Sequence, residues 1–165
     1  MVDDPMFRPM RLGAGEMRNR IVMAPMTRQR SPGGIPGRDV AAYYRRRAEG
    51  GVGMIVSEGT FIDHPGAACY QGVPHFFGAE ALAGWREVLR GVHGAGALMM
   101  PQLWHVGSYR RLGMAPDPAV PGFGPMARHE DGAEVVRAMD DGEIRAVAAS
   151  YARTTSAPSS CRAIG

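Results

Sequence analysis

Three apolar runs recur along the chain, at Arg20–Met26, Val52–Glu58 and Leu98–Gly107, with one helix-like segment between each pair. This alternation limits the fold more than any other feature. A continuous apolar run that turns polar at its end reads as a buried parallel strand. Between the runs, Arg38–Gly50 places Val40, Tyr43, Tyr44 and Ala48 at helical spacing and stops at Gly50-Gly51. Ala79–Gly94 does the same with Leu82, Trp85, Val88, Leu89 and Val92, closed by Gly94 and Gly96. Strand and helix in strict alternation argue for a parallel α/β sheet.

Within that class, no GxGxxG follows the first strand and no Walker Gly-Lys-Ser/Thr occurs, which excludes the common nucleotide-binding sheets. Long loops after the strand ends suit a (β/α)8 barrel instead. A closed barrel of that kind takes about 250 residues. The 165 residues here hold about three βα units, the N-terminal part of such a barrel. Ahead of the first unit, Met6–Leu12 and Met17–Arg20 flank Gly13-Ala14-Gly15 and predict a small β-hairpin. Behind the third, Ser108–Ala138 is rich in Pro and Gly and reads as irregular. Asp140-Asp141-Gly142-Glu143 then caps a last helix reaching about Tyr151.

Charge and cysteine content narrow the partners. The nineteen basic residues are all Arg, giving a formal charge of +3, and they are not interleaved with stacking aromatics as a nucleic-acid surface requires. The densest run, Arg45-Arg46-Arg47, suits the outer face and end of a helix. Cys69 and Cys161 form no framework, and the five histidines show no metal-ligand spacing. No apolar run approaches a membrane span of about 18 residues, so the expectation is a cytoplasmic protein.

The strand ends carry the candidate chemistry, because α/β proteins gather their reactive groups just past the carboxyl ends of parallel strands. Gln102, Trp104 and His105 crowd one such end. They read equally well as a site or as a strand cap packed on a loop. Met23, Met54, Met99 and Met100 read as core filler. Cys69 reads as a small buried hydrophobe.

Three segments in order go further. Asn19-Arg20-Ile21-Val22-Met23-Ala24-Pro25-Met26-Thr27 comes first. Tyr43-Tyr44 with Gly50-Gly51-Val52-Gly53-Met54-Ile55-Val56-Ser57-Glu58-Gly59-Thr60 follows, then Pro101-Gln102-Leu103-Trp104-His105-Val106-Gly107. Together they resemble the old yellow enzyme family, FMN-dependent ene-reductases and NADH:flavin oxidoreductases on a TIM barrel with an N-terminal hairpin. The resemblance implies FMN as cofactor, NADH or NADPH as reductant and a small-molecule substrate, an activated alkene. By position it implies that Ala24, Pro25, Met26 and Thr27 line the flavin ring, with the Thr27 hydroxyl toward its N5/O4 side. It implies that Gly59 admits the pyrimidine side closely, and that Gln102 donates to the N1/O2 region. Tyr70 and Trp104 would wall the substrate pocket. Read as residues alone, Thr27 and Gly59 are also ordinary turn residues, and Tyr70 an ordinary half-buried aromatic. His105 matches a family position outside the catalytic pair and reads as structural.

The resemblance covers residues 1–153 as a partial FMN-oxidoreductase barrel. Residues 154–165 diverge into Thr-Thr-Ser-Ala-Pro-Ser-Ser-Cys-Arg-Ala-Ile-Gly, where the family implies an Ala-rich helix and then a fourth strand with a His-x-x-His or His-x-x-Asn pair and a proton-donating tyrosine. A frameshift or truncation near codon 152 is the expectation. On that reading the flavin phosphate and the substrate clamp lack partners, and FMN binding is weak or absent. Catalysis by this chain is doubtful. The exposed barrel edges favour self-association or pairing with a complementary chain. The alternative function is therefore a non-catalytic truncated half-barrel.

Overall fold

The structure, a computed structural model, describes residues 4–155. The expectation for the tail beyond Thr155 lies outside the described residues. Strands β1 (Met10–Leu12) and β2 (Gly15–Met17) form the hairpin, antiparallel, with Met10 opposite Met17. The turn is tighter than the sequence suggested, since Gly15 already pairs with Leu12. Next come β3 (Val22–Met23), helix α1 (Arg38–Glu49), β4 (Met54–Phe61), α2 (Ala79–Gly94) and β5 (Leu98–Trp104). The three strands form one parallel sheet in the order β3-β4-β5. This is the opening of the expected barrel, three βα units in register.

The pleat explains which face is covered. Met23, Ile55 and Met99 lie side by side across the sheet and pack with Val40, Tyr44, Trp85, Val88 and Val92 of the two helices. Their alternate neighbours point to the other face, where Val22 is 44% exposed and Met100 38%. The hairpin closes the bottom of this layer. The Arg18 guanidinium donates to Ala48 O at the end of α1, to Val52 O at 3.1–3.2 Å, and to Ala95 O at the end of α2 at 3.1 Å. It therefore ties together carbonyls at the ends of both helices and just ahead of β4, adding a donor where the last helical turns have few. Asn19 fastens the next turn: its amide donates to Gly51 O at 2.7 Å and its oxygen accepts from Ile21 N–H at 3.1 Å. A Cβ at Gly53 would stand 2.3 Å from Asn19 O, so only glycine allows this approach.

β4 runs three residues beyond the expected end at Glu58. Gly59, Thr60 and Phe61 stay in the sheet because they pair with Gln102, Leu103 and Trp104. The pairing slips between Val56 and Gly59, opposite Pro101. Pro101 has no N–H for the ladder, and the strand answers with a bulge at Ser57-Glu58. The Ser57 hydroxyl then accepts from Gln102 N–H at 3.1 Å, and Thr60 Oγ1 donates to Gln102 O at 3.0 Å.

The segment expected to be irregular, Ser108–Ala138, holds a second sheet. Strands β6 (Gly122–Gly124), β7 (Arg128–Glu130) and β8 (Ala133–Ala138) pair in the order β6-β8-β7. Their shortness hid them from periodicity, but Asp131-Gly132 carried the signal. Both residues have positive φ, 50° and 80°, as a two-residue hairpin turn needs. The last helix, α3 (Asp141–Thr155), starts where expected. Glu143 N–H donates to Asp140 Oδ1 at 2.8 Å and Asp140 N–H to Glu143 Oε2 at 3.1 Å, a reciprocal cap.

Among the described residues no helix is long and apolar enough to cross a membrane.

Candidate active site

The carboxyl ends of β3, β4 and β5 bring the expected residues to one end of one sheet. Ala24, Pro25, Met26 and Thr27 leave β3 as an exposed segment, and the Thr27 hydroxyl bonds to no described residue. Gly59 on β4 is paired with Gln102 on β5. Gln102 is half-buried, and both its backbone groups are held by the Ser57 and Thr60 hydroxyls. Its side-chain amide has no partner among the described residues. Gly59 has a specific neighbour: a Cβ there would stand 2.1 Å from the Trp104 ring. The missing side chain seats the indole, which also stacks on Phe61 at 5.9 Å and 17°. Tyr70 and Trp104 both pack on the buried cluster of Phe61, Ile62, Ala67, Ala68 and Val73.

What holds the exposed segment at the strand end is a cluster that no spacing rule pointed to. Glu58, fully buried, accepts from Arg28 N–H at 3.0 Å, from the Arg28 guanidinium at 3.0 Å and from the Tyr44 hydroxyl at 3.4 Å. Its own N–H donates to the Tyr44 oxygen at 2.8 Å. Burial pushes the Tyr44 phenol well above its ordinary pKa, although the Glu58 N–H pulls the other way. The Arg28 guanidinium lies 3.6 Å over the Tyr43 ring, and Arg47 sits 3.6 Å from the same ring. One signal could have found this cluster: a carboxylate at the end of an apolar strand must be partnered if it is buried.

The loops beyond the strand ends are tied by a histidine pair. His105 Nδ1 accepts from Gly107 N–H at 3.0 Å, which leaves its proton on Nε2 to donate to His64 Nδ1 at 3.0 Å. His64 Nδ1 also accepts from Gly66 N–H at 3.2 Å. Both rings are thus held neutral by nitrogens that already accept. Burial lowers both pKa values, His105 to about 4 with its neighbour His64 adding to the effect, and His64 against the opposing charge of Asp63. Folded pKa values below the unfolded one mean that the unfolded chain binds more protons in acid. Stability is therefore expected in full above about pH 6.5 and to be lost progressively toward pH 4. Urea midpoints across that window check it. A His105→Asn variant whose midpoint falls as steeply as the parent's in the same window would count against the histidine pair as the cause.

The chain as a whole resembles known proteins. Residues 5–163 match the NADH:flavin oxidoreductase / NADH oxidase family. The chain belongs to this family. It is 37% identical over 117 residues to 12-oxophytodienoate reductase 7 of Oryza sativa subsp. japonica, covering 71% of this chain and 29% of that one. It is 42% identical over 109 residues to flavin oxidoreductase hxnT of Emericella nidulans, covering 63% and 28%. Among solved structures it superposes on the morphinone reductase N189A mutant in complex with tetrahydroNAD with a TM-score of 0.82 at 32% identity. That alignment covers 93% of this chain and 46% of the other. Old Yellow Enzyme from Pichia sp. AKU4542 aligns with a TM-score of 0.87 at 25% identity, covering 97% and 44%. The chain thus spans less than a third of the curated relatives it matches and a little under half of the solved barrels. The fold is that of the old yellow enzyme barrel, in part.

Proposed function

We propose that the chain supplies the ring-binding part of an FMN-dependent NAD(P)H oxidoreductase of the ene-reductase type. The observation that carries this reading is the donor set at the strand ends: the Gln102 amide on β5 and the Thr27 hydroxyl beyond β3, both without a partner among the described residues and both at the carboxyl end of the sheet, on either side of β4. The N1/O2 and N5/O4 positions of an oxidised flavin ring are acceptors, so these donors fit them. Gln102 would hold the N1/O2 side, where negative charge builds on reduction, with its backbone already fixed on both sides so that little reorganisation is needed. Thr27 would donate toward N5/O4, and Ala24, Pro25 and Met26 would carry the backbone along the ring. Gly59 serves this reading through Trp104, which it seats as a wall beside Tyr70. When bound, FMN supplies hydride chemistry, taking electrons from NADH or NADPH and delivering them to an activated alkene. The chain's own residues position the ring, shield it and donate hydrogen bonds.

Titration of FMN with the purified chain, followed by loss of flavin fluorescence, tests the reading. Weak but saturable quenching is expected, weakened about tenfold by Gln102→Ala, which is about 1.4 kcal/mol. Quenching that ignores the substitution, or none, overturns it.

A second reading is favoured by the sheet. Among the described residues β3 and β5 each pair on one side only, and Val22 and Met100 stay exposed. A non-catalytic half-barrel that pairs with a complementary chain fits those edges. FMN uptake that appears only when a second chain carrying the remaining strands of such a barrel is added favours this second reading.

A further inference from the structure

The loop after β4 and the loop after β5 are joined by four contacts. Val106 N–H donates to Ala67 O at 3.2 Å, His105 to His64, the Arg110 guanidinium to Ala68 O, and the Tyr70 hydroxyl to the Tyr109 hydroxyl at 2.7 Å. The first three are buried or half-buried and fasten backbone to backbone, ring to ring and guanidinium to carbonyl. The fourth is different, because Tyr109 is 60% exposed. A hydrogen bond that water can replace contributes little to stability, and ordering two side chains costs entropy. Folding energy does not account for this bond.

The surroundings show what does. Arg110, the next residue, is fully buried and fixes the backbone that carries Tyr109, while its contact with Ala68 fixes the loop that carries Tyr70. The two phenols are therefore presented to each other by a rigid frame, with ring centroids 6.1 Å apart at 45°. Tyr70 packs on the same cluster as Trp104. Because Tyr70 donates to Tyr109, the Tyr109 proton is left for an acceptor outside the pair.

We infer that Tyr109 is the positioning residue for Tyr70: it fixes the Tyr70 phenol across the gap between the two loops and presents its own O–H to the hydrogen-bond-accepting oxygen of a bound substrate. This rests on the reading of Tyr70 and Trp104 as a substrate wall. The bond to Tyr109 is also the largest cause of the rise in the Tyr70 pKa to about 12.

The test is Tyr109→Phe, which keeps the ring and removes the hydroxyl. In a spectrophotometric titration of tyrosinate absorbance, with Tyr70→Phe identifying the Tyr70 step, that step is expected to fall from about 12 toward the ordinary value near 10, since the Tyr109 bond is the largest cause of the rise. The urea midpoint should not move. In the FMN-loaded chain, the dissociation constant for cyclohexenone, read from the flavin spectrum, should rise about tenfold. A Tyr70 step that stays near 12 overturns the positioning role, and an unchanged cyclohexenone constant overturns the substrate contact. If the chain takes up no FMN, the reading of the flavin site fails, and the tyrosine titration still decides the role of Tyr109.

Discussion

Glu58→Ala is expected to destabilise the chain by about 3–5 kcal/mol, a large share of the roughly 5–15 kcal/mol that holds a domain together. The substitution strands the Arg28 guanidinium, whose side chain is 18% exposed, beside a cavity with its charge unmatched. It also removes the acceptor of the Arg28 N–H, so the segment from Ala24 to Thr27 loses its tether to β4. Glu58→Gln keeps the shape and one acceptor oxygen and should cost less. Replacing both Arg28 and Glu58 with methionine should cost less than the alanine variant, because no buried charge is left alone. Urea unfolding measures all three. An alanine variant within about 1 kcal/mol of the parent would show that the pair does not carry the site.

Arg110→Met is the second large effect expected, about 3–5 kcal/mol, from several buried carbonyls that each cost about 1–3 kcal/mol when left without a donor. The Arg110 guanidinium lies at zero exposure and donates to five backbone carbonyls, of Ala68, Met114, Ala115, Asp117 and Val120, the last through Nε at 3.0 Å. Burial lowers its pKa, against the pull of Asp117. Methionine fills the volume but leaves those oxygens without a donor in a site closed to water, the costly half of losing a hydrogen bond. Lysine should not rescue the variant, since one ammonium cannot serve a fork of five acceptors. Hydrogen exchange should localise the damage to the backbone around residues 66–70 and 112–120. Uniform exchange across the chain, with the urea midpoint unchanged, would argue against the frame.

Much of the frame of the candidate site was legible in the sequence. The three parallel strands follow from apolar runs that turn polar, although β3 stops at Met23 and β4 runs on to Phe61, and the helices follow from their periods and glycine stops. The ordered segments around Ala24–Thr27, Gly59 and Gln102 pointed to a flavin family, and the match over residues 5–163 establishes membership. The pairing of Gly59 with Gln102 was not legible. It depends on a bulge that β4 makes to accommodate Pro101, a demand that one strand places on another. The use of Gly59 as the seat of the Trp104 indole was hidden for the same reason.

Sequence alone determined the alternation of strands and helices, the hairpin and the reciprocal cap of α3, because periodicity, turn chemistry and capping act between residues a few positions apart. Only the tertiary structure decided the contacts that fix the site. Arg28 reaches Glu58 across 30 positions, Tyr70 reaches Tyr109 across 39, and Arg110 reaches Ala68 across 42. Such contacts form once loops are closed and water is excluded. Burial then makes an unpaired charge or carbonyl expensive, and which partner comes within reach is set by the packing of strands and loops, not by the neighbours in the chain.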